Sequence, residues 1–128
     1  MIDSRFPVQN RLVDSAIFQQ VFVENNKLRD RNWIILFREN DLNQARLGMA
    51  IAKKNVRKAV HRNQIKRIVR ESFRIRKQAL NGLDLVVLIS QGINDLERKE
   101  RIETLSRLLD KLSRQRESRQ TTAPKTRQ

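Results

Sequence analysis

Eleven basic side chains fall between Lys53 and Lys77 of this 128-residue chain: Lys53, Lys54, Arg57, Lys58, Arg62, Lys66, Arg67, Arg70, Arg74, Arg76 and Lys77. Glu71 is the one acid among them, so the window holds +10 of a total formal charge of +14. Guanidinium is planar, permanently charged and able to donate two parallel hydrogen bonds to one phosphate; ammonium is a compact point charge. At this density the two share one chemistry, the binding of oxyanions. At roughly 100° per residue of α-helix, Asn63, Lys66, Arg67, Arg70 and Arg74 share an arc about 100° wide. Ile65, Ile68, Val69, Ser72 and Phe73 share the opposite arc. A solvated helix face would mix signs at i,i+4, and this basic face shows no such pairing. The pattern predicts a helix that buries one arc and offers the other to phosphate. If about six of these side chains each meet a phosphate, counterion release removes roughly three orders of magnitude of affinity between 50 and 200 mM salt.

Other chemistries find less support. His61 is the sole histidine and falls near the apolar arc, where a structural role is expected rather than general-base work. Asp3, Asp14, Asp30, Asp41, Asp84, Asp95 and Asp110 are scattered singly, whereas a metal nuclease needs clustered carboxylates. With three glycines there is no loop to cradle a nucleotide phosphate, and with no cysteine there is neither a disulfide nor a thiolate metal site. MIDSRFPVQNRLVDS has no continuous apolar stretch to act as a secretory signal, and no segment approaches the roughly 18 apolar residues of a membrane span. A cytoplasmic protein is expected. So strong a charge opposes compaction, and a polyanionic partner would relieve it.

The elements that must position the basic arc follow from periodicity. Asp14 can cap a short helix over Ser15 to Glu24, with Phe18, Val21 and Phe22 on one face. Trp33 to Phe37 reads as a strand, with Ile34 and Leu36 on one side and Trp33, Ile35 and Phe37 on the other. A second strand spans Arg46 to Ala52. Leu47, Met49 and Ile51 should enter its core side, while Gly48, Ala50 and Ala52 leave a low floor that suits either a packed helix or a ligand groove. The basic helix is expected over Asn55 to Leu80, stopped by Gly82. Leu83 to Ile89 is a buried strand. A last helix, capped by Asn94 or Asp95, turns Ile102, Leu105, Leu109 and Leu112 inward. The order helix-strands-helix-strand-helix predicts an α+β fold, a two-layer α-β sandwich with a small mixed sheet packed by helices. Residues 1–112 are expected to form one domain and residues 113–128 a basic disordered tail.

The segment AIAKKNVRKAVHRNQIKRIVRESFR, Ala50 to Arg74, resembles the signature of the bacterial ribonuclease P protein family. The matching residues are Lys53, Lys54, Arg62, Asn63, Ile65, Lys66, Arg67, Arg70 and Phe73, supported by Arg46 and Gly48 in the strand before them. Arg11, Leu12, the set Phe18, Val21 and Phe22, and the strand LDLVVLI extend the resemblance over about residues 6–112. The family's second arginine in the central run is Gln64 here, which loses a charge.

The resemblance implies a left-handed βαβ crossover around the basic helix. It also implies the protein subunit of an RNA enzyme, a ribonucleoprotein endonuclease that removes the 5′ leader from precursor tRNA. Chemistry would belong to the RNA subunit and its Mg2+ ions, with no catalytic residue, metal or tightly bound cofactor in the protein. Partners would be the catalytic RNA and precursor tRNA, with no membrane and no obligate protein partner. Lys53, Lys54, Arg57, Lys58, Arg62, Asn63, Lys66, Arg67, Arg70 and Arg74 would bind RNA. Phe18, Phe22, Ile34, Leu36 and Ala50 would line a cleft for the leader, although Phe18 and Phe22 suit a core equally well. A ribosomal or ribosome-assembly protein, a DNA-binding regulator and a stand-alone metal nuclease are the competing readings.

Overall fold

The computed structural model describes Gln19, Val21 and residues 26–126, of which 116–126 are described by their backbone. Four strands form one sheet: β1 (Asn26–Asp30), β2 (Trp33–Glu39), β3 (Arg46–Ala50) and β4 (Leu83–Ile89), in spatial order β1-β2-β4-β3. β1, β2 and β4 pair antiparallel, and β3 joins β4 in parallel. Parallel neighbours need a crossover, and α1 (Ala59–Arg74) supplies it between β3 and β4. After β4 a 3₁₀ turn (Gln91–Asp95) leads into α2 (Arg98–Thr126). The mixed sheet with its helices is the expected α+β sandwich.

One sheet face is dry. Trp33, Ile35 and Phe37 of β2, Leu47 of β3 and Leu85, Val87 and Ile89 of β4 pack against Ile65, Ile68, Val69 and Phe73 of α1 and Leu105, Leu108, Leu109 and Leu112 of α2. The apolar arc read from the sequence is the buried arc of α1, Ser72 included. Trp33 is fully buried, and its indole N–H donates to Thr104 Oγ1 at 3.0 Å and to the Arg101 carbonyl at 3.1 Å. That donor stitches β2 to α2 without leaving a buried polar atom unpaired. Met49, expected in the core, is half-buried against it.

Several expectations change. β1 was not foreseen. NKLRD has Leu28 as its lone apolar residue, so an edge strand with charged alternation carries no hydrophobic period. Its two-residue connection to β2 places Arg31 at φ 56°, a conformation uncommon for a side chain larger than Asn. The second strand ends at Ala50 rather than Ala52. The basic helix begins at Ala59 rather than Asn55, because Lys53–Asn55 form a turn, and it ends at Arg74, with turns continuing to Gly82. Gly82, at φ 86°, closes those turns rather than the helix itself. Asn94 and Asp95 lie in the 3₁₀ turn. The Glu97 N–H instead donates to Glu100 Oε1 at 3.0 Å, half of a capping box, at the start of α2. α2 runs past Ser113 to Thr126, where a disordered tail was expected. Once a helix is nucleated, each added residue gains a backbone bond without needing an apolar stripe. Of the expected helix over Ser15 to Glu24, Gln19 and Val21 are helical, and the rest, with Phe18 and Phe22, lies outside the described residues.

Candidate nucleic-acid interface

The second sheet face is built in three cross-strand rows that follow from register. The first is polar: Arg38, Asp84 and Arg46. The second runs Lys27, Leu36, Val86 and Gly48, and the third Arg29, Ile34, Leu88 and Ala50. Val21 packs on Leu36 and Val86, which are buried, while Ile34, Leu88 and Ala50 remain half-buried. One end of the face is thus covered by Val21 and the other is more open. Of the expected small-residue floor, Gly48 and Ala50 lie in the strand on this face, and Ala52 falls beyond its end. Three expected cleft residues, Ile34, Leu36 and Ala50, do share this face; Phe18 and Phe22 fall outside the described residues.

The polar row is anchored by Asp84, which is fully buried. Arg46 donates Nε and Nη2 to its two carboxylate oxygens at 2.8 and 2.9 Å, and Asn40 Nδ2 donates to Oδ1 at 2.8 Å. Arg38 Nε stands 3.9 Å from Oδ2. A buried carboxylate so fully hydrogen-bonded stays compatible with a low-dielectric site. Its work is to fix the Arg46 guanidinium, with Arg38 nearby, at the margin of the apolar rows. Lys27 and Arg29, both exposed, add cations along the β1 edge of the same face. Sequence reasoning missed both; their signal was a period-two alternation of charge instead of apolarity.

The third row leads straight into the basic loop. Three residues after Ala50 the chain reaches Lys53, then Lys54, both exposed in the turn. Asn55 ties this turn to the sheet, its Nδ2 donating to the Ile89 carbonyl at 3.1 Å, while Asn94 Nδ2 donates to the Asn55 carbonyl at 2.6 Å. Arg57 and Lys58 follow, exposed, at the start of α1. Lys58 is the N-cap, in extended conformation, with no side-chain cap bond and no acid in the first turn. Four cations therefore surround a helix terminus whose own partial charge is positive. That arrangement opposes folding by itself and favours an oxyanion.

Along α1, Asn63 and Arg67 are exposed, and Lys66, Arg70 and Arg74 are half-buried along their stems, as long cations lying on a helix surface are. Two of the expected RNA-binding residues make contacts within the protein. Arg62 turns its Nη1 onto the Val56 and Arg57 carbonyls at 2.9 and 2.8 Å, so it shapes the loop. Arg74 pairs with Glu71 at 3.1 Å, an i,i+3 contact on a face expected to hold none. Arg76 is drawn into the fold by Asp110 and the Ser72 carbonyl. His61, expected near the core, is exposed, because the helix begins later than anticipated and its first turn stands clear of the sheet. Among the described residues no three His, Asp or Glu side chains gather as a metal site, and no helix is long and apolar enough to cross a membrane.

These features define a class: a one-sheet α+β protein whose crossover helix carries a cationic face beside a small-floored sheet. Comparison with known proteins narrows it. The family model described as Ribonuclease P matches residues 6–113. The ribonuclease P protein component of Pseudomonas putida is 38% identical over 124 residues, 96% of this chain and 92% of that protein. That of Nitrosococcus oceani is 45% identical over 97 residues, covering 76% and 82%. Among solved structures, the RNase P protein of Staphylococcus aureus superposes with a TM-score of 0.73 at 27% identity, covering 79% of this chain and 93% of that one. The RNase P protein of Thermotoga maritima gives a TM-score of 0.67 at 33% identity, covering 81% and 96%. The chain belongs to the ribonuclease P protein component family.

Proposed function

We propose that this protein is the subunit of a cytoplasmic ribonuclease P that binds the catalytic RNA and the 5′ leader of precursor tRNA, and so promotes leader removal. Family membership supports the assembly. The observation that carries the division of labour is the continuity between the third row of the sheet face and the uncapped, cation-ringed start of α1. The loop Lys53–Lys58 and the arc Asn63, Lys66, Arg67 and Arg70 meet phosphates of the RNA subunit. The open third row, Ile34, Leu88 and Ala50, meets unpaired leader bases with the buried Leu36 beneath it, and Lys27 and Arg29 lie on the leader's phosphates. An apolar platform with a cationic edge holds single strands with little sequence preference, which suits many leaders. Phe18 and Phe22 belong to the same cleft in this reading. Attack on the phosphodiester, and the Mg2+ ions that assist it, belong to the RNA, so the protein contributes binding and orientation and holds no cofactor of its own.

The test is precursor tRNA cleavage by a bacterial ribonuclease P RNA at low millimolar magnesium, with and without the protein. Stimulated cleavage at the mature 5′ end, with no cutting by the protein alone, is expected. Tight RNA binding without stimulation would instead support a ribosomal role.

A further inference from the structure

Between α1 and α2 runs a groove of about 630 Å³, within the roughly 300–1,000 Å³ of sites that hold small organic groups. Its walls are two helical stripes. Gln64, Arg67, Ile68, Glu71 and Ile75 lie at i, i+3, i+4, i+7 and i+11 on α1 and just beyond its end, and Arg98, Ile102 and Ser106 at i, i+4 and i+8 on α2. The groove borders the basic arc rather than lying within it.

Its chemistry is graded. Ile68 is buried, Ile102 half-buried and Ile75 66% exposed, an aliphatic floor that water still reaches. Arg67 and Arg98 stand exposed on opposite walls. Gln64 and Glu71 line the same groove. Glu71 decides the occupant. On a surface meant for phosphate alone a carboxylate is repulsive, yet this one is held in place by Arg74 at 3.1 Å. A carboxylate accepts from the exocyclic amine of a base, and a carboxamide can both donate to and accept from a base edge. The family's arginine at position 64 would add a fourth guanidinium to those of Arg67, Arg74 and Arg98 here; Gln64 replaces charge with a group able to read a base.

We infer that this groove binds one unpaired, amine-bearing nucleotide of the catalytic RNA. Its base lies on Ile68, Ile75 and Ile102 with its edge toward Gln64 and Glu71, and its flanking phosphates meet Arg67 and Arg98. This rests on the proposed role as an RNA subunit partner and adds a site with base preference to a helix otherwise read as sequence-blind.

The experiment is binding of the full-length protein to its own catalytic RNA between 50 and 200 mM salt, with dimethyl sulfate footprinting of the RNA. A phosphate-only surface makes Glu71→Ala bind more tightly, since a repulsive charge is gone. The base pocket makes it bind about five- to tenfold more weakly, within the range of a lost bidentate base contact, with the salt slope unchanged. Glu71→Gln keeps an acceptor oxygen and should recover most of that loss, which a displaced Arg74 would not. Ile75→Ser, at an exposed position, should weaken binding several-fold without shifting the melting temperature. Both Glu71→Ala and Ile75→Ser should erase one and the same protein-dependent protection of an adenine or cytosine. Equal or tighter binding by Glu71→Ala, or a footprint unaltered in both variants, overturns the pocket. Failure of the underlying reading looks different: Arg67→Ala with Arg70→Ala would then leave RNA binding unchanged as well.

Discussion

At the start of α2, Glu100 accepts a bond from the Glu97 N–H at 3.0 Å; at the start of α1 there is no acid, no side-chain cap, and a lysine in the cap position. Two charges of α2 are paired to neighbouring elements, Arg107 with Asp30 at 2.7 Å and Asp110 with Arg76 at 2.8 Å, and Thr104 receives the Trp33 indole N–H. Those of α1 are largely turned outward. Both helices bury their apolar faces against the same side of the sheet, so packing does not explain the contrast. The difference teaches that the two helices are built differently: α2 is tied to β1, β2 and the turn after α1 by cross-element pairs, while the start of α1 gathers cations with no cap among them.

The strongest way to break the comparison is to attack α2 from within. Leu105→Ala, at a fully buried position, should cost about 2–5 kcal/mol of unfolding free energy in denaturant titration. Measured well below its new midpoint, the salt slope of RNA binding should be unchanged. The converse is the double variant Arg67→Ala, Arg70→Ala. Its melting temperature should hold or rise, because like charges are removed, while the slope of log affinity against log salt should fall by roughly two. An unaltered slope would take these two arginines off the RNA.

A subtler variant sharpens the contrast. Lys58→Asp supplies α1 with the cap and the acid it lacks, and should raise stability by about 1 kcal/mol while weakening RNA binding. Stability and affinity moving in the same direction would show that the lysine is part of the fold. The smallest effect is at low pH. The hydrogen bond from Arg107 holds the Asp30 carboxyl below its ordinary range, opposed by partial burial. A lowered folded value means the pair's stabilisation is fully present above the unfolded carboxylate range near pH 4. It is lost as pH falls through the lowered folded value. Arg107→Ala should remove that segment of the acid-unfolding curve and leave stability near neutrality little altered, because the Arg107 side of the pair is mostly exposed.

The buried arc of α1 was legible because a 3.6-residue period survives wherever one face packs. The alternation of Trp33 to Phe37 was legible for the matching reason. What escaped were features that sequence distance or side-chain rotamer hides. Asp84 reads as a lone acid in an apolar strand, and its partners Arg46 and Asn40 lie about forty positions away. Arg62 sits at an angle where a helical wheel would let it face solvent, yet its guanidinium curls back to two loop carbonyls. Lys27 and Arg29 occupy a strand with one apolar residue, which no hydrophobic pattern can announce. Helix geometry pointed to the basic arc and strand alternation to the small residues Gly48 and Ala50, but neither could point to the groove at Gln64, which exists only where α2 lies alongside α1.

The parallel pairing of β3 with β4 also sets an order of events in a newly made chain. β1 and β2 are joined by two residues and can zip locally on the microsecond scale. Arg46 meets Asp84 across 38 positions, and that contact must wait for the whole intervening segment to be gathered in. Until then the block from Lys53 to Lys77 is a tether rather than a mounted surface. Polyanion arriving early meets a flexible cationic thread, and each phosphate it neutralises lowers the repulsion that slows closure, so an RNA present during synthesis is expected to speed the folding of this protein.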